Sequence, residues 1–157
     1  MKKIAAIIIS GTILTRAEPK PPTTDPARSL LAAVLVLEAG GEIDSSGNSR
    51  RAMSAVWEVI WRRAELRRKS LVGVVTRRKQ FSCLNSREPG RAIATAQRHP
   101  MWRHALGIVS APPLHPNGKL LTLGAEHYHA NSVSPYWADE KKKTVTIGNH
   151  TFYKLGY

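Results

Sequence analysis

The sequence predicts an α+β fold, mainly helical, with a small β-hairpin or sheet at its C-terminal end. Three observations carry that prediction. Leu30 to Leu37 is an unbroken apolar run. A second stretch from about Ser49 to Lys69 sets an apolar flank against an arginine-rich one. After Ala111-Pro112-Pro113 the composition turns to short segments rich in Thr, Val, Ile and Tyr, which favour pleated backbone. At 157 residues the chain has room for one domain with one core.

Taken in order, residues 1–17 open with Lys2 and Lys3, pass through an apolar run from Ile4 to Leu14 and close on Thr15-Arg16-Ala17. That is the layout of a secretory signal peptide cut near Ala17, with too few apolar residues to span a bilayer. Residues 18–25, "EPKPPTTD", carry three prolines and no large apolar side chain, and read as an extended linker. The folded domain is expected over 26–157. Asp25 followed by Pro26 is a helix start, and Gly40-Gly41 is its stop. A helix apolar on all sides belongs at the centre of a fold.

The second helix groups Ala52, Val56, Val59, Ile60 and Ala64 with Met53, Trp57 and Trp61, and leaves Arg50, Arg51, Arg62, Arg63, Arg67, Arg68 and Lys69 for a solvated face. Ser70 caps a short third helix, followed by a polar turn and an extended piece around Phe81. A further helical stretch from about Pro89 to Val109 is interrupted at Pro100. "LTLGAEHYHA" and "KTVTIGNHTFYKLGY" supply the short strands.

Charge is the strongest compositional feature. There are 24 Lys and Arg against 11 Asp and Glu, a formal net charge of +13. Such a chain seeks a polyanion. Export points to the envelope, hence to anionic cell-wall polymers and away from nucleic acid. The single Cys83 allows no internal disulfide, Cys-rich zinc module or dithiol motif, and reads as a buried thiol.

Two carboxylates could carry chemistry. Glu38 falls at the C-terminal end of the apolar helix, where desolvation and the negative end of the helix dipole would raise its pKa toward that of a general acid. A Glu turned outward at a frayed helix end fits the same position. Glu42, across Gly40-Gly41, is the second carboxylate, able to share a cleft with Glu38 or to hold a backbone N–H in the next turn. The histidines are His99, His104, His115, His127, His129 and His150. On a strand, His127 and His129 face one way and could join His150 or Glu126 around zinc, but His-x-His is a common pattern and no HExxH is present. Tyr128, Tyr136, Trp137, Phe152 and Tyr153 could pack the sheet or flank sugar rings.

Five segments taken together resemble the SleB-type cell wall hydrolases, which include spore cortex-lytic enzymes. They are "EAGGE" (Glu38 to Glu42), "QFSC" (Gln80 to Cys83), "GAEHYHA" (Gly124 to Ala130), "VSPYWA" (Val133 to Ala138) and "IGNHTFY" (Ile147 to Tyr153). The resemblance covers roughly Ser29 to Tyr153. It implies a lysozyme-like domain cutting the bond between N-acetylmuramic acid and N-acetylglucosamine in peptidoglycan, as a lytic transglycosylase does. Glu38 matches the position of the catalytic Glu. Glu42, Gln80, Ser82, His127, Tyr128, Asn149 and His150 are the expected substrate-binding residues. No cofactor and no metal are expected, and the protein is expected to act as a monomer. Two rivals stay in view, a zinc-dependent amidase or peptidase and a non-catalytic basic module that binds the wall.

Overall fold

The computed structural model describes residue 19 and residues 25–42, 49–113 and 118–156. The expected signal peptide, most of the expected linker and His115 lie outside the described residues. Five α-helices precede three strands in the described chain: α1 Asp25–Ala39, α2 Ser49–Arg67, α3 Leu71–Val75, α4 Pro89–Ala96, α5 Trp102–Ile108, β1 His127–Ala130, β2 Lys143–Ile147 and β3 His150–Tyr153. The mainly helical α+β architecture expected from the sequence is the one observed.

The uniformly apolar helix is central. Leu30 through Val36 of α1 are buried, and α1 packs against α2, α3, α4 and α5. Arg28 ties it to α5 by donating Nε and Nη2 to the Leu106 carbonyl. The stretch from Pro89 breaks into α4 and α5 around Pro100, as the ring of proline requires. Ser70 caps α3 by accepting the Gly73 N–H at 3.0 Å.

The solvated arginine face holds for Arg50, Arg51, Arg68 and Lys69, which are exposed, and fails for Arg63. Arg63 is buried. Its Nε donates to the Glu126 carbonyl at 2.7 Å, and its guanidinium lies 5.5 Å from the Phe81 ring centroid. Buried Glu58 on the same helix accepts the Leu121 and Thr122 N–H groups and the Thr122 hydroxyl, each at 2.8 Å. These two charged residues fasten the loop before β1 to α2. Burial of either group unpaired would cost more than the contact returns, so their partners define the loop's path.

The sheet is antiparallel in the order β1-β3-β2, with all four residues of the central strand β3 buried. β2 and β3 join through Gly148-Asn149. Gly148 has φ +57°, the left-handed region that the first position of a two-residue hairpin loop reserves for glycine. Alternation then divides the sheet residues between two faces. Tyr128, His150 and Phe152 touch on one face, and His127, His129 and Tyr153 gather with Trp137 on the other.

Candidate active site

Glu38 is the next-to-last residue of α1 and is half-buried. Phe81, 2 % exposed and extended at φ −133° and ψ 126°, anchors the chain that then tightens into a 3-10 turn, Ser82–Leu84. The first N–H groups of such a turn have no partner within it. One of them, on Cys83, donates to Glu38 Oε1 at 3.1 Å, beside the Ser82 hydroxyl at 3.0 Å. Tyr128 on β1 donates its hydroxyl to Oε2 at 3.1 Å. Three donors from two separate segments therefore fix both oxygens of one carboxylate, and no cation among the described residues pairs with it.

The donors stay protonated. Burial, and then the Glu38 charge, raise Tyr128 well above the usual phenol range, so its O–H persists at any working pH. Burial, and then the Glu38 charge, likewise push the Cys83 thiol up. Cys83 is half-buried, with no thiolate to act as a nucleophile. The buried thiol expected from the sequence is half-buried in the structure, and no sequence signal marks the Cys83 backbone N–H as a donor to Glu38.

Glu42 sits differently. It is buried, with Oε2 accepting the Asn149 N–H at 2.8 Å and Oε1 lying 2.5 Å from His150 Nδ1. A Cβ on Gly148 would run into the same carboxylate, so glycine serves both the turn and this close approach. Glu42 thus fastens the end of α1 to the β2–β3 hairpin. The His150 ring meets the Tyr128 ring edge-on with centroids 5.0 Å apart, and Tyr128 reaches Glu38. The two carboxylates are joined through one histidine and one tyrosine.

The structure therefore brings Glu38, Ser82 and Tyr128 into one cluster, and Glu42, Asn149 and His150 into an adjoining one. Gln80 stands two residues before Ser82 and turns instead to α2, its Oε1 accepting from Arg67 Nη1 at 2.7 Å. His127 is not with them. It points to the opposite sheet face, 5.6 Å from the Trp137 ring and 4.0 Å from Glu126 Oε1. Burial, with Arg63 and Arg67 nearby, lowers its pKa. Of the pair His127 and His129, the latter has both ring nitrogens engaged, Nδ1 with the Ala130 carbonyl at 2.9 Å and Nε2 with the Tyr153 hydroxyl at 3.0 Å. Among the described residues no three His, Cys, Asp or Glu side chains converge as a metal-ligand set.

A polar groove of about 470 Å³ begins at Leu84, the last residue of the turn that serves Glu38, and continues along residues 85–88, Arg91 and Thr95. Its lining of amide, hydroxyl, guanidinium and carboxylate side chains, from Asn85, Ser86, Thr95, Arg87, Arg91 and Glu88, suits a hydroxyl-rich ligand more than an apolar one.

A central apolar helix ending in a donor-held carboxylate, beside a polar groove and a small sheet, has the parts of an acid–base hydrolase for a polar polymer. The Cell Wall Hydrolase family model matches residues 47–153, and the chain belongs to this family of SleB-type cell wall hydrolases. Its substrate is accordingly the peptidoglycan of the cell wall. The matched range begins after Glu38 and Glu42 and includes Gln80, Ser82, His127, Tyr128, Asn149 and His150. No curated protein and no solved structure matches the chain.

Proposed function

We propose that the protein is exported, its signal removed near Ala17, and that it cuts the glycan strand of peptidoglycan as a lytic transglycosylase with Glu38 as the single general acid/base. Protonated Glu38 gives its proton to the bridging oxygen as the C1–O bond of the N-acetylmuramic acid unit breaks. The resulting carboxylate then takes the proton of the C6 hydroxyl as that oxygen closes on C1. The products are a 1,6-anhydro end and a free 4-hydroxyl, and no water is consumed. Ser82, Cys83 N–H and Tyr128 hold the carboxylate in place and stabilise it after it has given up its proton.

The observation that supports this reading is the contrast in how the two carboxylates are occupied. Among the described residues Glu38 is half-open and held only by neutral donors, whereas both oxygens of Glu42 meet the hairpin. A two-carboxylate hydrolysis needs the second group free to activate water or attack C1. One free carboxylate fits a mechanism in which the substrate's own hydroxyl closes the ring.

The test is Glu38→Gln. Release of muropeptides from sacculi should fall by at least about a thousandfold while the circular dichroism and melting temperature stay near those of the parent. Turnover like that of the unaltered protein would remove Glu38 from the chemistry. Mass spectrometry of the products separates the reactions, since anhydro ends support the proposal and freed stem peptides with intact glycan would replace it with an amidase.

A further inference from the structure

A second groove of about 590 Å³ lies where α2 ends and α3 begins, lined by Arg67, Lys69, Gly73, Val74, Thr76 and Arg77. Its polar lining is three cations and a hydroxyl. The charge is local to the sequence as well: Arg67, Arg68, Lys69, Arg77, Arg78 and Lys79 stand within residues 66–86, which contain no Asp or Glu. Cations of one sign around one cavity focus a field that concentrates an anion.

The groove is connected to Glu38. Arg67 Nη1 donates to Gln80 Oε1 at 2.7 Å, which fixes the guanidinium at the groove wall. Phe81 is extended, so Gln80 and Ser82 project to one side of the chain, roughly 7 Å apart along it, while Phe81 turns into the core. Ser82 donates to Glu38 and Gln80 faces Arg67. The cationic groove is thereby linked, through Arg67 and Gln80, to the short segment whose Ser82 holds the reacting carboxylate.

We infer that this groove binds the carboxylates of the peptide stems carried by the glycan strand that is being cut. The inference rests on the glycan-cleaving reading above and adds a specificity to it. A strand positioned at Glu38 presents its side-chain peptides alongside, and their free carboxylates are the anions nearest the cleaved bond. Arg77 supplies a forked donor for a carboxylate, Lys69 supplies a point charge, and Arg67, held by Gln80, adds positive charge at the groove wall.

The experiment compares glycan strands that keep their stem peptides with strands from which the peptides have been removed, using the full chain and the double variant Lys69→Ala/Arg77→Ala. Lys69 and Arg77 are exposed, so the variant should fold normally. On peptide-bearing strands the variant's KM should rise about three- to tenfold with kcat unchanged. On stripped strands it should match the parent. Raising salt to about 0.3 M should erase the parent's preference for peptide-bearing strands. An equal effect on both substrates, or none on either, overturns the inference. A defect that vanishes once phosphate polymers are removed from the sacculi also overturns it, because the anion is then a phosphate. Should the parent cut neither substrate, the glycan-cleaving reading is what has failed, and co-sedimentation with the two kinds of strand still reads the groove: tighter binding to peptide-bearing strands supports it and equal binding rejects it.

Discussion

Glu38 and Glu42 are four residues apart, the same type, and both within reach of the same sheet, yet their surroundings assign them different work. Glu38 is still on the helix and, among the described residues, meets only neutral donors. Glu42 lies past the two glycines and is closed in by the hairpin, with a histidine at one oxygen and a backbone N–H at the other. The glycines make the difference. By ending α1 they let the chain turn, so Glu42 leaves the helix axis and meets Gly148-Asn149. A carboxylate's neighbours, more than its spacing from another acid, decide whether it is free to move a proton.

The largest effect on that comparison, after the loss of activity in Glu38→Gln, is expected on stability. Glu42→Ala leaves His150 Nδ1 and the Asn149 N–H without their buried partner. Leaving two buried polar groups unsatisfied costs about 1–3 kcal/mol each. For a domain of this size the melting temperature should fall on the order of 10 °C. Measured well below that transition, muropeptide release should persist. Release abolished in a folded Glu42→Ala protein would instead make Glu42 a participant in the chemistry.

Much of this was legible in sequence, for reasons that differ between the two carboxylates. The capped apolar run placed α1 and set Glu38 at its end, because a cap, a long apolar stretch and terminal glycines are local signals. Thr- and Val-rich segments around Gly148-Asn149 placed the hairpin for the same reason. The Glu42 contacts were open between several roles, since its partners Asn149 and His150 lie more than a hundred residues on. The resemblance names His127 and Tyr128 together as substrate-binding, but adjacent strand residues point to opposite faces. The strand reading itself contained that separation. Its place among five other arginines of the second helical stretch puts Arg63 on the solvated face in a reading of sequence alone. Only the packing of Phe81 and Glu126 against it shows why it is inside.

A smaller effect sharpens the comparison from the Glu38 side. Tyr128→Phe keeps the ring that packs on His150 and Phe152 but removes the hydroxyl that Glu38 accepts. A hydrogen bond to a charged group contributes about 1.5–3 kcal/mol, so kcat/KM should drop by roughly ten- to a hundredfold. Since Tyr128 stays protonated, the loss should be the same across the working pH range. A loss that appears only at high pH would mean that Tyr128 itself titrates in the reaction.

The smallest effect belongs to the other face of the sheet and separates structure from catalysis there. His127 has its pKa lowered by burial and by Arg63 and Arg67, so the folded protein takes up its proton less readily than the unfolded chain does. The stability this contributes is fully present above the ordinary histidine value near 6.5 and is lost as pH falls through the lower folded value. His127→Gln should therefore lose less stability than the parent on acidification from pH 7 to 5, read as a smaller fall in melting temperature. Because His127 faces Trp137 and not Glu38, muropeptide release at neutral pH should change little. An equal acid sensitivity would show that other groups carry the pH dependence, and a large loss of activity would place His127 back in the glycan groove, on the side of the sheet from which its strand neighbour Tyr128 points away.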